Sequence, residues 1–355
     1  MLRAGLIFCC LVLASRLAPE TRAAVPWNKV NRQAVEWYSS DEARTIAGNV
    51  LQYQTPTGGW PKNHDMTVPP DAAFLAETAP DHRAPTIDND ATTTQIQFLA
   101  RVDAAQSDAN RQQAIVRGID YLLTAQYANG GWPQYYPVIP GYYTHITYND
   151  NAMVNALNVL RAVSVGEGPY AFVDQDRRAK SADAVQRGIS CILRTQVKQD
   201  GQLTAWCAQH DESTLEPAWA RNFEPPSLSG NESVAIVRFL MGIDNPPPEV
   251  IAAIDGAVTW LHAVPVHGLR IENTVAADGG KDRHAVSDES APALWARFYE
   301  LGTNKPIYVG RDKVIRYDFN EIERERRIGY NYLGEWPAKL ILQDYPRWRE
   351  RNHLP

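Results

Sequence analysis

An apolar helical stretch that runs into Gly-Gly-Trp-Pro occurs twice, and this repetition restricts the fold more than any other feature of the chain. The first copy carries Ala34, Val35, Trp37, Ile46, Ala47, Val50 and Leu51, then Gln54 and Gly58-Gly59-Trp60-Pro61. The second runs from Ile115 to Ala125, then Gln126 and Gly130-Gly131-Trp132-Pro133, 72 residues later. A fainter third copy extends from Ala184 through Ile192 and Leu193 to Gln196, followed by Asp200-Gly201 and Trp206. Glycine permits the left-handed backbone that ends a helix, and proline prevents its continuation, so each copy predicts a helix with a fixed stop.

Each copy is followed by a second helical pattern with a polar start. The starts are Asp88-Asn89-Asp90, Asn149-Asp150-Asn151 and Ser229-Gly230-Asn231-Glu232. Behind them stand Ile96, Leu99 and Val102; Val154, Leu157 and Leu160; and Val234, Val237 and Leu240. Apolar residues at steps of three and four make a buried helical stripe, and Asp, Asn and Ser suit N-caps. A helix pair of this kind buries its face only against the next pair. The pattern predicts an all-α fold, an α/α toroid of about three helical hairpins with long loops at one end. A linear helical solenoid is the alternative. No linker interrupts the chain, so residues 25–355 are expected to form one domain.

The N-terminus has a cationic start, an apolar run over Ala4–Ala14 and small residues up to Ala24. This predicts a secretory signal peptide over residues 1–24 and a protein exported to the periplasm or the exterior. Cys191 and Cys207 remain in the mature chain and can pair only if the fold brings their backbones close. A net charge of −6 disfavours a nucleic-acid partner. It leaves room for an acidic ligand, because local arginines or a bound cation can reverse the sign inside a cleft.

The loops carry the chemistry. Asp88, Asn89 and Asp90 with Asn149, Asp150 and Asn151 offer more oxygen donors than helix capping requires. Hard oxygens converging from neighbouring repeats suit Ca²⁺, completed by a ligand carboxylate and water. No EF-hand or HExxH motif is present, so an all-protein metal cage is not expected. Lys62, Asn63 and His64 follow the first Gly-Gly-Trp-Pro at a mouth where a polymer could lie. Arg221, between Trp219 and Phe223, either binds a carboxylate or is held by Glu224. Arg297 sits in an apolar-aromatic run, Trp295 to Tyr299, that reads as a helix end, and Arg311 follows Gly310 beyond a turn. Guanidinium groups recognise carboxylates bidentately, which suits an acidic substrate; ordinary surface ion pairing is the plainer reading. His145 and His210 read mainly as structural, since no serine or cysteine nucleophile accompanies them.

Taken together, several stretches resemble the pectate lyases of polysaccharide lyase family 10. They are Asn129-Gly-Gly-Trp-Pro133, Thr86-Ile-Asp-Asn89, His145-Ile-Thr-Tyr-Asn-Asp150, Leu203-Thr-Ala-Trp-Cys-Ala-Gln-His-Asp211, Arg221-Asn-Phe-Glu-Pro-Pro-Ser227, Trp295-Ala-Arg-Phe-Tyr299, Thr303-Asn-Lys-Pro306 and Gly310-Arg-Asp312. The likeness covers about residues 27–345. It implies a toroidal fold and calcium-assisted β-elimination of polygalacturonate by a monomeric enzyme. It also implies roles for the matching residues. Arg311 would take the C5 proton, Arg297 and Arg221 would hold substrate carboxylates, Asp150 would bind Ca²⁺, and Asp88 would be a second essential acid, also near the metal. Lys62, Asn89, His145 and Trp206 complete the expected substrate-binding set. The family's lysine near the Leu-Thr-Ala-Trp turn has no counterpart, since Gln202 stands there; Lys198 is the nearest substitute.

An arginine base needs only transient neutrality, which neighbouring cations favour, so activity is expected in the alkaline range. Two other classes compete with this reading. A glycoside hydrolase would recast Asp88 and Asp150 as an acid–base pair. A non-catalytic oligogalacturonide-binding protein would keep the arginines yet tolerate loss of Arg311.

Overall fold

The structure is a computed structural model and describes residues 25–77 and 83–354; the expected signal peptide lies outside the described residues. Two 3₁₀ turns, Trp27–Arg32 and Val35–Ser39, lead into α1 (Asp41–Gln52) and the short α2 (Ala72–Ala76). Then follow α3 (Thr93–Ala105), α4 (Ala109–Ala125), α5 (Ala152–Val165), α6 (Gln175–Thr195), α7 (Glu232–Met241) and α8 (Pro248–Ala263). Helices α9 (Arg324–Gly329) and α10 (Tyr345–Arg351) end the described chain.

The helices form two layers. In the inner layer α3, α5 and α7 pack side by side, with Ile96, Phe98, Leu99, Leu157, Leu160, Ile236 and Val237 fully buried. In the outer layer α1, α4, α6 and α8 pack in succession. Among the described residues the molecule is mostly helical with no closed barrel, an arrangement compatible with the expected all-α toroid.

One pair of side-chain contacts joins each unit to the next. The buried indoles of Trp60, Trp132 and Trp206 donate to the carbonyls of Val50, Leu122 and Ile192 at 2.8, 2.8 and 2.7 Å. Each indole thereby donates to a carbonyl in the last turn of the preceding outer helix, where the helical ladder ends; the Val50 and Ile192 carbonyls also accept from Tyr53 N–H and Thr195 Oγ, both at 3.2 Å. Gln54, Gln126 and Gln196 each donate twice, once within the turn and once to the next outer helix, at Ala114, Ala184 and Ala253. The indole anchor recurs a fourth time, where Trp295 donates to Leu261 at 2.8 Å. The glycines permit this close approach: Gly58 and Gly130 have φ of +99° and +92°, and a Cβ there would lie 2.3 and 2.1 Å from the carbonyl oxygens of Arg117 and Arg187.

One expectation is corrected. The run from Trp295 to Tyr299 is not a helix end: Trp295–Ala296 is a short strand paired with Leu333–Gly334, and Tyr299 bridges Leu228 and Pro306. The fold is not purely helical, because β1 (Leu269–Val275) and β2 (Lys281–Ser287) form a long antiparallel hairpin. Its faces are only half-buried, so the apolar alternation that marks a strand is weak there. Cys191 and Cys207 are both free and buried, with no disulfide between them. No helix among the described residues is long and apolar enough to cross a membrane.

Truncating one anchor tests this account. Trp132→Ala removes a fully buried indole and orphans the Leu122 carbonyl, so a loss of about 3–5 kcal/mol is expected by denaturant titration. Gly130→Ala, which must displace the Arg187 backbone, should cost more than ~1 kcal/mol.

Candidate active site

The polar segments that open the inner helices are not helix caps. Thr92 and Asn151, which precede α3 and α5, make no side-chain capping bond. Instead Asn89, Asp90, Asp150 and Asn151 all take φ between +50° and +62°. Left-handed backbone suits Asn and Asp better than other side chains, because their short polar groups tolerate it. Two strained turns thus place Asp88 and Asp150 on the wall of one cleft instead of at helix ends.

That cleft has a volume of about 160 Å³. Lys62, Asp88, Asn89, Asp150, Gln209, Arg221 and Glu224 line it. Asp88 is buried, and its Oδ2 accepts from Lys62 Nζ at 2.6 Å and Gln134 Nε2 at 2.7 Å. Its Oδ1 is buried with no hydrogen-bond partner. Burial alone would lower the Lys62 ammonium, but Asp88 carries it above its ordinary value. The cleft amine is therefore Lys62 from the first repeat. Lys198 and Gln202 lie on a separate two-stranded pairing and do not line the cleft.

Arg297 lies beneath Asp150. Its side chain is only 7% exposed, and Nη2 donates to Asn149 Oδ1 at 3.1 Å, to Asp150 Oδ1 at 3.2 Å and to Glu232 Oε1. The guanidinium also sits over the Tyr330 ring at 4.5 Å. Burial would lower its pKa, yet the Glu232 carboxylate holds it well above the ordinary arginine value. Glu232 escaped sequence reasoning because Ser229-x-x-Glu232 imitates a capping box. Ser229 Oγ does accept from the Glu232 backbone at 3.1 Å, but the carboxylate turns to Arg297.

Arg221 reaches the cleft from the opposite loop. It is clamped by Glu224, with Nε–Oε2 at 2.8 Å and Nη2–Oε1 at 2.6 Å, and Nη1 has no partner among the described residues. Glu224 is itself buried and accepts from Tyr330 Oη at 2.9 Å. Burial would raise its carboxyl, but Arg221 holds it below the ordinary range. Arg311, in contrast, is 60% exposed, makes two 3.0 Å bonds to Glu325, and is not among the residues lining the cleft. Phe223 lies between the two, 4.8 Å from the Arg221 guanidinium and 5.5 Å from that of Arg311.

Two candidates have structural tasks. Trp206 is fully buried and anchors Ile192, so it cannot touch a substrate as the resemblance implied. His210 is also fully buried: its Nε2 accepts from the Cys207 backbone at 3.1 Å, and its Nδ1 donates to the Leu215 carbonyl at 2.9 Å. His145 does not line the cleft; its Nδ1 lies 3.1 Å from Glu212 Oε2. With Asp211 these make a group of three whose donor atoms lie within 4.8 Å of one another.

The pectic acid lyase family matches residues 54–341, so the chain belongs to the pectic acid lyase family and is a polysaccharide lyase. Among solved structures it is similar to the family 10 polysaccharide lyase from Cellvibrio cellulosa, with 30% identity, 92% of this chain and 95% of that one covered, and a TM-score of 0.75. It is equally similar to a single-residue mutant of that enzyme in complex with trigalacturonic acid, with 31% identity, 89% and 95% coverage and a TM-score of 0.74. No curated protein matches.

Two outcomes test the site's electrostatics. Glu232→Ala strands a buried guanidinium, so stability should fall by about 3–5 kcal/mol in denaturant titration. Burial lowers the His210 pKa from 6.5 to about 4, so below pH 6.5 the unfolded chain binds the extra proton. Stability should therefore fall between those values and level off beneath them, and His210→Gln should flatten that slope in melts across pH.

Proposed function

We propose that the protein is a pectate lyase that cleaves polygalacturonate by β-elimination, with Arg221 as the proton acceptor. The observation that carries this reading is the cleft itself. An arginine pinned by a buried carboxylate faces two aspartates and a lysine across a polar gap. Exposure and the Glu325 pairing of Arg311 favour a role at the rim, holding a uronate carboxylate, over the base role that the resemblance suggested.

The residues fit a calcium ion. Asp88 Oδ1 is buried and unpartnered, and Asp90 is pushed above its ordinary carboxylate pKa by burial and then by the charge on Asp150. Crowded hard oxygens of this kind are relieved by a divalent cation. Asp88 and Asp150 would hold it, with the substrate carboxylate completing its shell. When bound, Ca²⁺ would neutralise that carboxylate and so acidify the neighbouring C5 proton.

The chain's own groups do the rest. Lys62 places a fixed positive charge beside the substrate, and Arg297 steadies Asp150 from below. Glu224 fixes the plane of the Arg221 guanidinium, leaving Nη1 available. Neutral Arg221 accepts the C5 proton, the C5–H electron pair forms the C4–C5 double bond, and the C4–O4 pair departs with O4 of the leaving sugar, which takes a proton from solvent to become a hydroxyl. The product is a 4,5-unsaturated uronate. Burial would lower the Arg221 pKa, but Glu224 holds it above the ordinary arginine value, so the neutral base is scarce and its population grows as pH rises.

The reading predicts rising ultraviolet absorbance on polygalacturonate that excess chelator abolishes. Activity should climb with pH through the alkaline range. Arg221→Lys should lower kcat by about 10²–10⁴-fold, whereas Arg311→Lys should act mainly on KM. New reducing ends without absorbance would refute the elimination. An inactive Arg311→Lys beside a nearly active Arg221→Lys would return the base to Arg311.

A further inference from the structure

We infer that a hollow between the N-terminal 3₁₀ turn and the first repeat is an additional sugar subsite, with Arg32 as receptor for a uronate carboxylate; this rests on the lyase reading above. The hollow has a volume of about 360 Å³ against about 160 Å³ for the cleft, and it shares Lys62, Asn63 and Asn89 with it. The two hollows therefore adjoin across Lys62, Asn63 and Asn89.

The turn that walls the hollow is held firmly. Trp27 meets the Phe98 ring edge-on at 6.0 Å, Asn31 Nδ2 donates to the Thr94 carbonyl at 3.0 Å, and Tyr38 Oη donates to the Val30 carbonyl at 3.0 Å. These contacts fix the base of Arg32, whose side chain is exposed and has no hydrogen-bond partner among the described residues. A guanidinium left free on a rigid turn is preorganised to take a carboxylate bidentately.

The remaining wall suits a sugar. Asn28, Asn63, Asn89 and Asn155 line it with amides, which both donate and accept; Asn89 Nδ2 donates to Asn63 Oδ1 at 2.9 Å, leaving the Asn89 oxygen and the Asn63 amine for paired hydroxyls. Trp27 contributes a half-buried aromatic surface. Asp90 is the one carboxylate in the lining; Asn155 Nδ2 donates to it at 2.7 Å, and Arg32 offsets its charge.

The test compares kcat/KM on trigalacturonate, hexagalacturonate and polygalacturonate for wild type, Arg32→Ala and Arg32→Lys. The subsite predicts that Arg32→Ala loses about tenfold on the two longer substrates and nothing on the trimer, as expected when one charge-assisted contact is removed. Arg32→Lys should recover part of the loss, and the melting temperature should not move. Wild-type rates at every length, or an equal loss on the trimer, would overturn the proposal. If the wild type raises no absorbance on polygalacturonate, the lyase reading itself fails. Calorimetric binding of hexagalacturonate then decides the subsite: weaker binding by Arg32→Ala supports it, and equal binding refutes it.

Discussion

The indole-to-carbonyl bond at the end of each outer helix is the contact on which the rest of the structure depends. A helix leaves its last carbonyls without partners, and a buried carbonyl without a partner is costly. Here Trp60, Trp132, Trp206 and Trp295 each supply a donor and a large apolar body at the same point. The glutamine beside each of the first three then reaches the next outer helix, so helix termination and inter-repeat packing are one device. Because these ends are fixed, the loops that follow emerge at defined positions on one side of the helical layers.

Those loops can then hold a charge arrangement that would otherwise be unfavourable. Arg297 and Glu232 are both almost wholly buried, and such a pair persists only where geometry and extra hydrogen bonds offset desolvation. Tyr330, Asn149, Ser229 and Asp150 provide those contacts. The buried pair sets the position of Asp150, and a second pair, Arg221 with Glu224, sets the guanidinium across the cleft. Both pairs touch Tyr330, one through its ring and the other through its hydroxyl. The site is thus a charge network in which Tyr330 links the two ion pairs.

The helical layers were legible in the chain because burial follows a period of 3.6 and each stop carries Gly and Trp. The third and fourth anchors were harder to see, since Trp206 and Trp295 lack the preceding glycine pair. Trp206 consequently passed for a binding residue, and Trp295 for part of a helix. Asp88 and Asp150 line the cleft instead of capping helices because Asn89, Asp90, Asp150 and Asn151 take left-handed backbone, which leaves no periodic trace in the sequence. The β1–β2 hairpin was missed because half-buried strands lack strict alternation.

What the sequence determined by itself was the repeat, the family and the residue types assembled at the site, because spacing and side-chain chemistry are local properties. What only the tertiary structure decided was which of those residues meet. Arg221, Arg297 and Arg311 look alike along the chain, yet one lines the cleft, one lies beneath an aspartate and one sits exposed against Glu325. Their roles depend on burial and on partners distant in sequence, such as Asp150 and Glu232 around Arg297. Charge and desolvation act through space, and the order of residues does not record those distances.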